Sequence, residues 1–312
     1  MTLGLSVVRP GMLTTVQDLG RWGFQASGVP VAGPMDEYSH RLANRLVGNL
    51  PSAAALEITL IGPELLAHGE VTCAVAGATF ALTVGGSSVP MHVPFTLHSG
   101  DRLKFGARSA GARAAIAVKG GFDVPPVFGS RSTSLISAMG PFDGRALKAG
   151  DLLPIVPITA IVSSGAASVA TVPLPLPAGG ATVRVIPGPQ QSFFTPQAYD
   201  TLFASRYLIT PQSNRMGYRL AGPALQHAGR ADILSDATPL GTLQVPASGQ
   251  PILLMADRQT TGGYPKIGVV IGADLPLAGQ LAPGDWIEFA PCTRQTAVEA
   301  LRRRQLWLGG QR

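Results

Sequence analysis

Short apolar runs, each cut off by glycine or proline, dominate this sequence and limit what it can fold into. VTCAV (71–75), TFALTV (79–84), AAIAV (114–118), VRVI (183–186), ILLM (252–255) and IGVVI (267–271) are four to six residues long. Runs of that length, rich in valine and isoleucine, suit strands; a helix needs ten residues or more. The turns between them draw on 38 glycines and 27 prolines. Gly100-Asp101 and Gly284-Asp285 launch two further alternating strands, at 102–105 and 286–289. The expected fold is therefore mainly β, with a few short helices.

Three segments break the pattern. The clearest helix is expected over 33–48, with Gly33 and Pro34 at its start and Asp36 and Glu37 where the helix dipole favours acids. Met35, Tyr38, Leu42, Ala43 and Leu46 form its apolar stripe, and Gly48 ends it. A second helix is expected to start at Thr195-Pro196 and run to Phe203, and a third over 295–307 with Val298, Leu301 and Leu306 turned inward. The segment PLPLPAGG (173–180) reads as a linker, stiff in its proline part and loose in its glycine part. It divides the chain into an N-terminal β module over 1–172 and a C-terminal β module over 181–312 that carries the last helix. Gly62-Pro63 before the first Gly-Asp turn and Gly222-Pro223 before the second hint faintly at duplication.

Composition excludes several classes. At 46% hydrophobic and 13% charged, the chain can fill a core and is not disordered. The net charge of +6 is scattered, and aromatics make up 6%, so no nucleic-acid platform is expected. Cys73 and Cys292 are far apart with no metal-ligand spacing, and read as buried free thiols rather than a disulfide or a metal site. No signal-peptide pattern opens the chain, and the uncharged stretch at 152–183 is interrupted by five prolines. The expectation is a cytoplasmic protein with neither a membrane nor a nucleic-acid partner.

Polar residues gather in four clusters. The first joins Gln17, Asp18 and Arg21 between glycines. The second runs from Gly120-Gly121 through Gly129-Ser130-Arg131-Ser132-Thr133 to Asp143 and Arg145, and can hold an anion on backbone N–H groups or simply brace a loop. In the third, Arg215 and Arg219 stand four apart and can clamp a carboxylate, or pair charges on a surface strand. The fourth, MADRQTTGGYPKIG (255–268), crowds Asp257, Arg258, Gln259, Thr260, Gly263, Tyr264 and Lys266 between two apolar runs, with Asp236 and Gln244 upstream. Asp257 there suits a base or an orienting group, and Arg258 or Lys266 suits an oxyanion. A structural reading, in which Asp257 and Arg258 satisfy buried turn amides, stands beside it. Phosphate-loop, nucleophile-elbow and zinc-protease motifs are absent, and the five histidines fall outside the four clusters.

In one order the chain carries TTVQDLGRWGFQ, GVPVAGPMD, RLANRLVGN, GGFDVPPVFGSRST, SNRMGYRLAGP, SDATPLGTLQVPASGQPILLMADRQTTGGYPKIG and LAPGDWIEF. That series resembles the family of allophanate hydrolase subunit 2-like proteins. The family includes the KipA proteins, described as the C component of the prokaryotic 5-oxoprolinase, and the carboxyltransferase region of urea amidolyase. The resemblance implies two tandem cyclophilin-like β-barrel modules. It implies an ATP-dependent opening of 5-oxo-L-proline to L-glutamate, performed with a KipI-like B component and a LamB/YcsF-like A component. This chain would be inactive alone, with ATP bound by the complex. The alternatives are a biotin-dependent carboxyltransferase acting on a urea-like substrate, and a non-catalytic binder of a KipI-like kinase inhibitor. On this resemblance the catalytic candidates are Asp257, Arg258 and Tyr264. Gln17, Asp18, Arg21, Asp36, Arg131, Arg215, Gln244, Gln259, Thr260 and Gly263 are candidates for substrate binding. One departure is Gly279, which separates Ala278 from Gln280 ahead of the Pro-Gly-Asp turn. No Ala-Met-Lys-Met biotinyl motif is present.

Overall fold

A computed structural model describes residues 3–156 and 172–308 of the chain. The middle of the uncharged stretch, 157–171, lies outside the described residues. The fold is mainly β, as expected, and divides into two units. Unit 1 takes Met1–Arg21, Ala32–Leu176 and Trp307–Arg312; unit 2 takes Trp22–Val31 and Pro177–Leu306.

Unit 1 is a nine-stranded sheet curled into a half-barrel. Its strands are β1 (Gly4–Arg9), β2 (Leu13–Gln17), β3 (Ala55–Thr59), β4 (Glu64–His68), β5 (Val71–Val84), β6 (Ser87–Val89), β7 (Phe95–Leu97), β8 (Arg102–Val118) and β9 (Leu152–Pro154). The order is β2-β3-β8-β4-β1-β9, with β5 pairing β6, β7 and β8. Helix α1 (Glu37–Leu46) covers one face. Where both faces of the sheet are buried, as along 73–78 of β5 and 114–118 of β8, the run carries small and apolar residues on both sides. Leu56, Ile58, Cys73, Val75, Ile116 and Val118 point into the main core. Their neighbours Ala55, Ala74, Ala76, Ala115 and Ala117 point the other way, under Tyr38, Leu42 and Ala43 of α1. Alanine on that face lets the helix lie close to the sheet. The two runs at 71–75 and 79–84 form one strand, because Gly77 absorbs a bulge. Its φ is 101°, and an added Cβ would come 2.5 Å from the Arg113 carbonyl oxygen. A left-handed turn, α2 (Pro141–Gly144), lies between β8 and β9.

Unit 2 is a closed barrel of seven strands, β10-β17-β14-β15-β12-β11-β18, sealed by parallel pairing of β18 with β10. The strands are β10 (Gly180–Pro187), β11 (Arg206–Ile209), β12 (Gly217–Ala221), β14 (Thr242–Gln244), β15 (Ile252–Leu254), β17 (Lys266–Val270) and β18 (Trp286–Pro291). A separate ribbon joins β13 (Asp236–Ala237) to β16 (Thr261–Gly262). Val183, Val185, Tyr207, Leu253, Ile287 and Phe289 are among its buried core residues. The helices are α3 (Pro196–Ala204), capped by Thr195, α4 (Leu275–Gly279) and α5 (Arg294–Trp307). Closure removes the edges of the barrel sheet.

Several expectations change. Helix α1 begins at Glu37 rather than at Gly33, because Asp36 accepts the Ser39 N–H at 3.0 Å and so takes the capping role. Helix α5 has no buried residue; Val298, Leu301 and Leu306 are 42%, 42% and 46% exposed. It rests instead on its Thr293 cap and a Gln295–Glu299 pair. The glycine end of the supposed loose linker is ordered. Gly180 pairs with Trp286 beneath the indole, where a Cβ would meet the ring at 2.2 Å. Cys73 is buried, but Cys292 is only partly so. Among the described residues, only unit 2 forms a closed barrel. Among the described residues no helix is long and apolar enough to cross a membrane.

Candidate functional site

In unit 1, the Gln17–Asp18–Arg21 segment and the Gly129–Thr133 segment are one network, although more than 100 residues separate them. Asp18 Oδ1 accepts from Gly20 N–H at 2.9 Å, Ser130 Oγ at 2.6 Å and Ser132 Oγ at 2.7 Å. Its Oδ2 accepts the Arg131 N–H at 2.5 Å. The carboxylate is therefore the hub of a loop brace. Arg21, almost wholly buried, donates to the Ser132 and Val127 carbonyls, and the Arg131 side chain donates to the Val124 carbonyl at 2.8 Å. The side chain of Gln17 donates to Thr15 Oγ1 and to the Thr133 carbonyl. Asp36 is engaged as the α1 cap. Glu57, on the same face of β3 as Ala55, reaches the Met35 N–H at 2.6 Å and holds the chain at the helix start.

His40 belongs beside this group, which corrects the expectation that every histidine stands outside the clusters. Burial pushes its pKa down to about 4, against an opposing pull from the Asp18 charge. Its Nε2 lies 3.2 Å from the Asn44 amide. The imidazole is neutral through the physiological range.

In unit 2 the topology assembles the second site. β14 lies between β15 and β17, so the 255–265 connection from β15 to β17 must cross over β14. That crossing lays the polar stretch over Gln244, the last residue of β14. Gln259 Nε2 approaches Gln244 Oε1 at 3.4 Å, the Thr238 N–H donates to the Thr260 carbonyl at 3.1 Å, and Thr238 Oγ1 donates to the Gln259 carbonyl. Gly262 has no room for a side chain, since a Cβ would lie 2.7 Å from Gln259 Nε2 and 3.3 Å from Gln244 Nε2. A side chain there would have to push the Gln259 amide aside.

The charged residues separate into three arrangements. Asp257 and Arg215 form a buried bidentate pair, at 3.0 Å (Nε–Oδ2) and 3.1 Å (Nη2–Oδ1). The carboxylate that Arg215 clamps is thus the protein's own. Arg219, four residues on, is exposed on β12 and is not brought to this pair. Lys266 is buried and pairs with Asp236, whose carboxyl is held below the usual range by the Lys266 ammonium and the Ala237 N–H. Arg258, 8% exposed, has among the described residues one acceptor, the Thr238 carbonyl at 2.8 Å, and no carboxylate. Burial pushes its pKa down to about 10. Tyr264 is 40% exposed, and Gly263 sits 2.9 Å, measured from an added Cβ, from the Ile233 carbonyl.

The arrangement is rich in donors: a guanidinium and two amides around Thr238, with an ammonium held on Asp236 two residues before it. It suits holding negative charge rather than removing protons, because Asp257 is saturated by Arg215. A concavity of about 610 Å³ on unit 2 lies elsewhere, lined by residues including Thr210, Arg219, Pro246 and Gln250. Sequence reasoning missed Gln190, whose amide reaches the Lys266 N–H at 3.2 Å and Asp236 at 3.4 Å. Its only signal is the Gly188-Pro189 turn after β10. It also missed Glu57 as the clasp of α1. Among the described residues, no group of three or more His, Cys, Asp or Glu side chains is placed to hold a metal ion.

Comparison with known proteins supplies a further finding. The family model for the carboxyltransferase domain, subdomain A and B, matches residues 27–291. The C component of the 5-oxoprolinase of Escherichia coli strain K12 is 39% identical over 301 residues, spanning 96% of this chain and 95% of that protein. The urea amidolyase of Lachancea kluyveri is 37% identical, spanning 93% of this chain and 17% of that protein. The crystal structure of the K. lactis urea amidolyase superimposes with a TM-score of 0.92 at 34% identity, over 98% of this chain and 20% of that one. This chain thus spans about a fifth of the urea amidolyases it resembles.

Proposed function

The chain belongs to the carboxyltransferase domain, subdomain A and B, family, and we propose that it is the C component of an ATP-dependent 5-oxoprolinase. The observation that carries this reading is the near end-to-end match with the C component of a named 5-oxoprolinase, against a match to only a fraction of urea amidolyase. The reaction opens 5-oxo-L-proline to L-glutamate. A KipI-like component and a LamB/YcsF-like component complete the machinery, and the chain alone is inactive. No glycine-rich phosphate loop is present here, so ATP is assigned to the complex.

The chemistry needs stabilised oxyanions. The lactam is resonance-stabilised, and ATP activates it by phosphorylating the carbonyl oxygen with release of ADP. Water then adds to the carbon, the C–N bond breaks with the nitrogen taking a proton, and a second water hydrolyses the acyl phosphate to carboxylate and phosphate. Arg258 and the Gln244 and Gln259 amides are the donors of this chain available to negative charge on the substrate, with Lys266 held on Asp236 beside them. Asp257 acts through Arg215 and the loop that carries Arg258. In unit 1, Gln17, Asp18, Arg21 and Arg131 hold a loop pair ready for the substrate or a neighbouring component of the complex.

The test is reconstitution. Glutamate and ADP formation from 5-oxo-L-proline should require this chain together with its KipI-like and LamB/YcsF-like partners; full turnover from those two partners alone sinks the reading. The second reading, transfer of a carboxyl group from a biotin carrier to a urea-like acceptor, is favoured by the family match and the urea amidolyase likeness. It predicts uptake of labelled carboxyl from a separate biotinylated carrier.

A further inference from the structure

We propose that Arg258 and the Gln244 amide form a pocket in unit 2 for the carboxylate of a small organic acid. Two observations point to a ligand there. Arg258 is over nine-tenths buried as a residue, yet among the described residues the only hydrogen-bond partner of its guanidinium is the Thr238 carbonyl. A buried guanidinium is costly unless an anion completes it, and every other strongly buried cation of this cluster has one. Arg215 has Asp257, and Lys266 has Asp236. Burial alone accounts for the lowered pKa of Arg258, with no acid opposing it. Second, Gln244 is 2% exposed, and among the described residues one end of its amide, Nε2, has no acceptor.

Thr238 ties the two together. Its carbonyl accepts from Arg258, while its methyl carbon and Gln244 Nε2 lie 3.4 Å and 3.3 Å from the Cβ position of Gly262. Glycine at 262 lets Thr238, Gln244 and Gln259 close on one spot, and the fork of Arg258 presents parallel N–H groups that match a planar carboxylate. Arg215 cannot serve, because Asp257 already occupies its fork. The pocket is argued from these contacts; the choice of 5-oxo-L-proline as the acid that brings the carboxylate rests on the proposed function.

The experiment is a calorimetric titration of the full chain with 5-oxo-L-proline, with acetate, and with 2-pyrrolidinone, the same lactam without its carboxylate. The pocket predicts that 5-oxo-L-proline binds, acetate binds more weakly, and 2-pyrrolidinone does not. Arg258→Lys keeps the charge but loses the fork, and should weaken binding about tenfold or more; Gln244→Met should weaken it several-fold. Circular dichroism checks that each variant folds. Binding of 5-oxo-L-proline unchanged in both variants overturns the pocket, as does equal binding of 2-pyrrolidinone, or no carboxylate binding to the wild type. Arg258-dependent binding of acetate without 5-oxo-L-proline keeps the pocket and removes the proposed substrate. Turnover by the full complex with an unchanged KM in Arg258→Lys keeps the proposed function and removes the pocket.

Discussion

Arg215 and Asp257 close on each other through two parallel hydrogen bonds, and neither side chain is more than 5% exposed. The adjacent Arg258 is buried without an acid. The pair fastens the loop, while among the described residues its neighbour has no acid.

The fastening predicts a large stability effect. Asp257→Ala leaves Arg215 charged and buried, which costs about 3–5 kcal/mol. Arg215→Met should cost a similar amount, and the double variant less than the sum of the two. Urea unfolding of the three variants measures the cycle; additive single effects would show that the pair is not coupled.

The alanine face under α1 predicts intolerance to size. Ala115→Leu places a larger side chain between β8 and Leu42 and should destabilise by roughly 1–3 kcal/mol. Ser88→Ala, on the exposed strand β6, should be neutral. Equal unfolding midpoints for the two variants would remove the close-packing account.

His40 predicts a pH effect of definite sign. Its folded pKa is about 4 against an ordinary 6.5, because burial disfavours the charged ring. Between those values the unfolded chain takes up a proton that the folded chain refuses. Stability therefore falls as pH drops from about 6.5 to about 4 and levels off below, by up to about 3 kcal/mol from this group. His40→Gln should flatten that part of the stability–pH curve; an unchanged slope counts against a buried neutral ring.

Asp151 predicts the acid limb. Arg145 grips its carboxylate at 2.7 and 2.8 Å, and this pairing holds its pKa below the usual range despite partial burial. The folded pKa is depressed, so the contribution is present above the ordinary carboxylate pKa and is lost as pH falls through the folded value. Asp151→Asn should lower stability at neutral pH and bring it level with the wild type in strong acid. A constant difference at all pH values would contradict the assignment.

Much of the fold is legible in the residues alone. Apolar runs of strand length, glycine and proline breaks, and the Tyr38–Leu42–Leu46 stripe are local signals, and they yield strands, turns and α1 close to where the structure has them. Helix α5 shows the limit: its apolar residues sit in a helix, as expected, yet remain exposed, because periodicity says which face is apolar and not whether anything covers it.

The candidate site divides in the same way. Its residues cluster along the chain and are visible as crowded polar stretches between buried strands. Their partners are not visible. Asp18 meets Ser130 and Ser132 across 112 and 114 positions, and Asp257 meets Arg215 across 42. Sequence determined which residue types are hidden and where the chain turns, since these follow from local backbone preference and the hydrophobic pattern. Only tertiary structure decided that Asp257 is spent on Arg215 while Arg258 is free of acids, because that depends on strand order. β14 inserts between β15 and β17, and the loop that must cross it delivers each charge to a different neighbour.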